Sequence, residues 1–324
     1  MNNSSTTSDS PAQKDQPSGR RWLMFTALVL LSPILLVGIY WLAGGMRGSD
    51  SQHSSVEVLK TSAQSAGLLS QPNAEAPLAQ ATSVKQHPLE AALKEARAGL
   101  AKINSDIQDY TATILKRERI DGVLGEEQKM RAKVRHEKTK DGQVTTPFSV
   151  YLAFDSPKSI KGREVIWVEG HNNGNLIVHP GGLFDVARVP LPPDGFLAMQ
   201  GQRYPIMDIG VRNLVAKMIE RGEKDLQYDD IIVEYDDDLV VNGRPCRLIE
   251  IKHTEQKPEH DFYIARIYID NELQIPTRYA AYKWPVEKDG ELVLEEEYTY
   301  TDVKTNVGLT DADFDPDNKE YAFP

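Results

Sequence analysis

Near the C-terminus, in LTDADFDPDNKEY, aspartates recur at every second position as Asp311, Asp313, Asp315 and Asp317. Carboxylates at alternate positions of a tight loop supply the first ligands of a helix–loop–helix calcium site. The rest of that pattern is missing, because Pro316 stands where the loop needs glycine and Ala322 where it needs a bidentate glutamate. Pro316 also biases Asp315 toward extended backbone, which turns neighbouring carboxylates apart. No calcium site is expected here. Two histidine pairs, His171/His179 and His253/His260, bracket a turn and a charged loop (TEQKPE) respectively. Neither has HExxH-like ligand spacing, so neither is read as a zinc or copper site. There is no GxSxG and no phosphate-cradling loop. The single cysteine, Cys246, enters a strand just after a turn and reads as a buried structural thiol. Glu295–Glu297 and Asp236–Asp238 contain paired acids of the kind glycosidases use, but on an acidic chain they read as strand and turn acids that keep sheet edges soluble. No catalytic, cofactor or metal residue is assigned, and the protein is read as not an enzyme.

Aromatic and aliphatic residues carry more. Tyr279, Tyr282 and Trp284 (RYAAYKWP) and Tyr298 and Tyr300 (EEEYTYTD) lie on neighbouring expected strands. They form either ordinary cross-strand pairs or a wall facing a ligand. With Val150, Leu152 and Phe154 of SVYLAF and Trp167 of EVIWV they make up a candidate groove.

The elements that must position these residues follow from periodicity. HPLEAALKEARAGLAKI places Leu89, Leu93, Ala96, Leu100 and Ile103 on one helical face. From Tyr110 onward the period changes to two, with Met130, Ala132 and Val134 on one face of MRAKVRH. Hairpins are expected around His-Asn-Asn-Gly-Asn (171–175), at Asn242-Gly243 or slightly before, and at Asp270-Asn271-Glu272, with a last strand in LVLEEEYTYTDVKTN. A second helix interrupts the strands at Asp208–Arg221, with Asp208 as N-cap and Gly222 as stop. The expected fold is mainly β (α+β): a curved antiparallel sheet or unclosed barrel of about nine to eleven strands, with one helix before it and one inserted.

The net charge of -11 offers no basic stripe for nucleic acid. WLMFTALVLLSPILLVGIYWLA, Trp22–Ala43, is uncharged, long enough to cross a bilayer and flanked by interfacial aromatics. It reads as a retained signal anchor rather than a cleaved peptide, since the apolar run exceeds the usual h-region. Lys14, Arg20 and Arg21 precede it and only Arg47 follows closely. The positive-inside rule then places residues 1–21, a polar tail, in the cytoplasm. The reading is a single-pass bacterial inner-membrane protein with a periplasmic C-terminal domain. Residues 44–86, rich in Ser, Gln, Ala and Gly, read as a disordered tether with a reach of roughly 35 Å, leaving 87–324 as the folded domain.

The segments ILKRERIDGVLGEEQKMRAKVR, FSVYLAFDSPKSIKGREVIWVEG, IPTRYAAYKWP and EEYTYTDVKTNVGLTDADFD resemble a bacterial family of membrane-tethered proteins classed as a domain of unknown function. More distantly, the IPTRY strand and the YTYTDVKTNVGLTDADF ending are similar to the LolA/LolB-like lipoprotein carriers. That resemblance implies an unclosed β-barrel lidded by helices that holds acyl chains. It also implies that Phe314 plugs the sheet edge while the aspartates around it are solvent-side spacers. The function expected is a membrane-anchored periplasmic module binding a lipid or lipoprotein acyl chain. The alternative is a cell-envelope adaptor that binds another, unidentified protein and no small ligand.

Overall fold

A computed structural model describes residues 86–324 apart from 182–186 and 288–289. The expected tail, the span Trp22–Ala43 and the tether up to residue 85 lie outside the described residues. Among the described residues no helix is long and apolar enough to cross a membrane.

Helix α1 runs Leu89–Asp106 and buries Leu89, Ala92, Leu93 and Ile103, one face of its 3.6-residue period. It begins just after Pro88, whose fixed φ suits a helix start, and ends where Ile107 turns extended. Among the described residues fourteen strands follow. They are β1 (Asp109–Ile120), β2 (Val123–Leu124), β3 (Gln128–Arg135), β4 (Lys138–Lys140), β5 (Gln143–Thr146), β6 (Ser149–Ser156), β7 (Glu164–Val168), β8 (Leu176–His179) and β9 (Val189–Leu191). After helices α2 (Phe196–Met199) and α3 (Val211–Asp225) come β10 (Ile231–Val241), β11 (Arg244–His253), β12 (Ile264–Asp270), β13 (Pro276–Lys283) and β14 (Val293–Thr305).

Eleven strands form one antiparallel path, β10-β11-β12-β13-β14-β1-β3-β6-β7-β8-β9, with β2 paired to β1 and β4–β5 a separate ribbon. The expected nine to eleven strands undercount the fourteen, because β2, β4 and β5 have two to four residues and show no readable alternation. The sheet is unclosed, with β10 and β9 at its two ends. Both edges discourage pairing with a further strand. On β10 the register slips between Asp236 and Leu239, and Asp236–Asp238 are exposed, as expected for edge acids. On β9 Pro190 removes a donor.

The hairpins form where expected. Asn242 and Gly243, at φ 50° and 78°, make the two-residue turn joining β10 and β11. Asn172, Asn173 and Gly174 all take positive φ between β7 and β8.

The inner face of the sheet carries Tyr110, Ile114, Met130, Val134, Val150, Leu152 and Phe154, which pack with α1 and α3 into the main core. The outer face of β6 and β7 is buried as well. Tyr151, Ala153, Ile166 and Val168 lie under Phe314 and Phe323 of the C-terminal segment. Phe314 therefore does not plug a sheet edge; it covers the outer face of two interior strands.

Helix α3 differs from expectation at both ends. Asp208 closes a preceding 3₁₀ turn, and Gly210, at φ 107°, is the N-cap. The orphan N–H of Val211 donates to the Tyr110 hydroxyl of β1 at 3.1 Å, so a distant strand performs the capping that Asp208 was expected to do. Gly222 does not stop the helix. It lies inside α3, where a Cβ would sit 2.8 Å from Leu93 Cδ2 of α1, so glycine is what allows the two helices to approach.

Candidate functional site: a cavity under helix α3

Between the inner sheet face and α3 lies a cavity of about 620 Å³. Ile114, Met130, Leu152, Phe154, Val165 and Leu176 form its sheet side, and Leu214 and Met218 its helical side. Leu197 of α2 sits at its rim, 63% exposed, beside Phe196 at 82%.

One end of this apolar chamber is polar. Strands β1 and β14 pair so that Ile114 faces Tyr300, Lys116 faces Tyr298 and Glu118 faces Glu296. Two glutamates directly opposite each other repel unless cations intervene, and both are nearly buried, at 6% and 2% exposure. Three cations supply the compensation. Arg221 of α3 donates from Nη1 to Glu296 Oε1 and to the Tyr279 hydroxyl, both at 2.9 Å. Arg203 Nε lies 3.2 Å from Glu296 Oε2, and its Nη1 donates to Glu295 Oε1 at 2.7 Å. Lys116 Nζ donates to Glu118 Oε2 at 3.2 Å. Glu118 also accepts the Arg203 backbone N–H at 3.0 Å and the Tyr298 hydroxyl at 2.6 Å. The Tyr204 hydroxyl accepts from Arg221 Nη2.

Burial requires this pairing, since a desolvated charge without a partner costs several kcal/mol. The same burial pushes the Tyr298, Tyr279 and Tyr300 hydroxyls up, with Glu296 reinforcing the effect at Tyr298 and Tyr279. They stay protonated; the Tyr298 hydroxyl donates to Glu118, whereas that of Tyr279 accepts from Arg221. Burial pulls Lys116 down against the opposing pull of Glu118. Every carboxylate oxygen of Glu118 and Glu296 already faces an internal donor within 3.3 Å. Together the arrangement can bind an apolar chain along one wall and present hydroxyl and guanidinium groups at its end.

The expected groove residues divide. Leu152, Phe154, Tyr279, Tyr298 and Tyr300 line the cavity together. Tyr279 and Tyr298 stack across β13 and β14, at 6.4 Å between ring centroids. Val150 and Trp167 belong to the same core, but not to the cavity lining. Trp167 packs edge-on to Phe148. Tyr282 lies on the opposite face of β13 under Arg266, because alternation sends it away from Tyr279 and Ala281. Trp284 lies beyond the end of β13, stacked near Tyr263 and His260.

Glu295–Glu297 are not edge acids. They lie on β14, between β13 and β1, and Glu296 is the centre of the polar cluster. Lys116, Glu118 and Arg221 were missed, although each left a signal. Lys116 and Glu118 continue the inner-face alternation of Tyr110, Ala112 and Ile114. Arg221 continues the helical face of Leu214 and Met218. A charge on an otherwise apolar face marks a buried pair.

The aspartate run is divided among separate partners. Asp311 pairs with Arg135, Asp313 with Lys133 and Asp317 with Arg188. Asp313 is more than a spacer, since it completes a capping box with Thr310. Cys246 is fully buried, as expected of a structural thiol. His171 lies in the exposed turn and His179 is buried beside Glu164, whereas His253 and His260 come together.

Comparisons with known proteins place the chain. Among solved structures, a DUF1329 family protein from Desulfovibrio piger is 15% identical, over 71% of this chain and 98% of its own, with TM-score 0.33. The lipoprotein LppX of Mycobacterium tuberculosis is 13% identical, over 68% and 98%, with TM-score 0.38. A LolA superfamily protein from Nitrosomonas europaea is 11% identical, over 69% and 97%, with TM-score 0.26. These are distant likenesses. No curated protein matches. The family described as "Protein of unknown function (DUF1571)" matches residues 107–323, most of the chain, and the protein therefore belongs to the DUF1571 family.

Proposed function

We propose that this protein is a non-enzymatic binding module that takes an acyl chain, from a lipid or a lipoprotein, into the cavity under α3. One observation carries the reading: the cavity of about 620 Å³ has an apolar wall that ends in a polar cluster, as sites for amphiphiles do. The apolar part would hold the chain, while Arg221, Tyr204 and Tyr279 would meet the head of the ligand. The sequence reading of Trp22–Ala43 as an anchor makes it a tethered periplasmic acceptor, working at the inner membrane rather than diffusing from it.

Mass spectrometry of organic extracts from the purified full chain tests this. Copurifying acyl lipid is expected, and it should be lost from a Leu152→Trp, Met218→Trp variant that fills the cavity yet melts cooperatively. Chain that is free of lipid and takes up no fluorescent fatty acid would sink the proposal. So would a filled variant that still carries lipid.

A second reading, an envelope adaptor, has one observation of its own. Edge strand β10 exposes Tyr235 and Val240 along its length. Cross-linking from β10 to a reproducible protein partner, together with an empty cavity, would favour it.

A further inference from the structure

At the far end of α3 from its cap, Asp225, Asp230, His253 and His260 converge. They come from the last residue of α3, the residue before β10, the last residue of β11 and the β11–β12 loop. The two histidines are buried, with ring centroids 3.8 Å apart. His253 finds no hydrogen-bond partner for either ring nitrogen, and His260 finds none for Nε2. Buried polar atoms left this way are costly, so three in one place call for an explanation.

Their surroundings fix which nitrogens are available. His260 Nδ1 lies 3.0 Å from the Glu255 carbonyl and must donate its proton there, which leaves a lone pair on Nε2. That Nε2 faces Asp230 Oδ1 at 3.8 Å. His253 Nε2 lies 3.6 Å from Asp225 Oδ2, and its Nδ1 lies 3.8 Å from Asp230 Oδ2. A proton on the Asp225 side leaves the Nδ1 lone pair facing Asp230. Two imidazole lone pairs then face one carboxylate, whose Oδ1 also accepts from Lys257 Nζ at 2.9 Å. A second-sphere acceptor behind each imidazole is the usual arrangement around a metal-bound histidine.

We propose that Asp230, His253 and His260 bind one divalent transition-metal ion of the zinc type, with Asp225 and the Glu255 carbonyl orienting the two rings. One ligand atom from each residue already lies within 4.8 Å of the others. Tetrahedral zinc with bonds of about 2.0–2.1 Å brings ligand atoms to about 3.3 Å of one another, so the closure required is about 1.5 Å at most. The rings are tilted only 26° from parallel, so closure must splay them. A shift of the β11–β12 loop, which carries both His260 and the Glu255 carbonyl that holds its ring, would provide that closure. Asp230 keeps lone pairs for the ion although Lys257 Nζ donates to Oδ1 at 2.9 Å and the Glu255 N–H to Oδ2 at 3.2 Å. Two nitrogens and one oxygen select zinc, nickel, cobalt or copper over calcium and magnesium, which take mainly oxygen ligands. The ion would tie the β11–β12 loop to the base of α3, the helix that roofs the cavity.

The test uses the full chain, stripped with chelator and titrated with zinc chloride. Binding of one equivalent is expected, with Tm rising by about 5–10 °C at a hundredfold excess over Kd. His260→Gln and Asp230→Asn should each abolish the rise. Trp284 stacks 6.0 Å from His260, so nickel or cobalt should quench its emission, and Trp284→Phe should remove that quenching while the Tm rise remains. If His260→Gln does not fold, the stoichiometry and the Trp284 signal still decide. Absence of stoichiometric zinc, an equal rise with calcium or magnesium, a rise that survives in folded His260→Gln, or quenching that survives Trp284→Phe would each overturn the site.

Discussion

Phe314 and Asp313 are chain neighbours that hold the C-terminal segment to the sheet in different ways. The Phe314 ring is buried against Ala153, Ile166 and Val168 and lies under the Arg135 guanidinium, 4.9 Å away. Phe314→Ala should therefore cost about 3–5 kcal/mol in urea unfolding, the range for a buried aromatic left as a cavity. Asp313 accepts Lys133 Nζ at 2.8 Å and the Thr310 N–H at 2.9 Å. Asp313→Ala should cost about 1–2 kcal/mol, because it removes both a cap and a charge-assisted hydrogen bond. Burial raises the Asp313 carboxyl, but the donors from Lys133 and Thr310 prevail and hold it below its ordinary value. Asp270 behaves likewise: burial is outweighed by Arg244 and by the N–H groups of Leu273 and Glu272. Since both folded values lie below the unfolded value of about 3.9, their stabilisation is complete above that pH and is lost as pH falls through the folded values. Tm should drop steeply on the acid side of pH 4, and Asp270→Asn or Asp313→Asn should each flatten that limb. An acid limb that neither substitution alters would refute the assignment.

Elements whose pattern is internal to themselves were legible, and those fixed by distant partners were not. Helix α1 could be read because Leu89, Leu93, Ala96, Leu100 and Ile103 repeat within one stretch. The β10–β11 turn could be read because Asn242-Gly243 carries its own geometry. The start of α3 was read wrongly because its cap comes from Tyr110, about a hundred residues earlier in the chain. The polar end of the cavity was hidden for the same reason. It needs the β1–β14 register and the placement of α3, and neither is written in the acids around Glu296. His253 and His260 meet only because a seven-residue offset folds back as a loop, which spacing cannot specify. One substitution probes the cap directly. A Cβ on Gly210 would sit 2.9 Å from the Tyr110 hydroxyl, at a φ of 107° that side chains rarely adopt. Gly210→Ala should destabilise by more than about 1 kcal/mol, whereas a glycine whose backbone suits alanine would gain up to about 1 kcal/mol. Equal or greater stability would mean that Tyr110 does not hold the helix start.

For the molecule as a whole, the question is how a chain would enter the cavity. Phe196 and Leu197 of α2 are 82% and 63% exposed, and Leu197 also lines the cavity. Large apolar side chains grouped at a rim gain about 1.5–3 kcal/mol each if they bury in another apolar phase, so a lipid surface or a ligand tail would complete them. Since neither residue is buried, Phe196→Ser with Leu197→Ser should leave unfolding free energy within about 0.5 kcal/mol. The same change should slow transfer of a fluorescent fatty acid from vesicles into the protein by at least about tenfold, the effect of losing about 1.4 kcal/mol of contact at the rim. Final occupancy should change little, because the cavity wall is untouched. The outcome separates rim from cavity. Unchanged transfer with normal occupancy would mean that ligand enters elsewhere, whereas lost occupancy at normal stability would make α2 part of the binding wall itself.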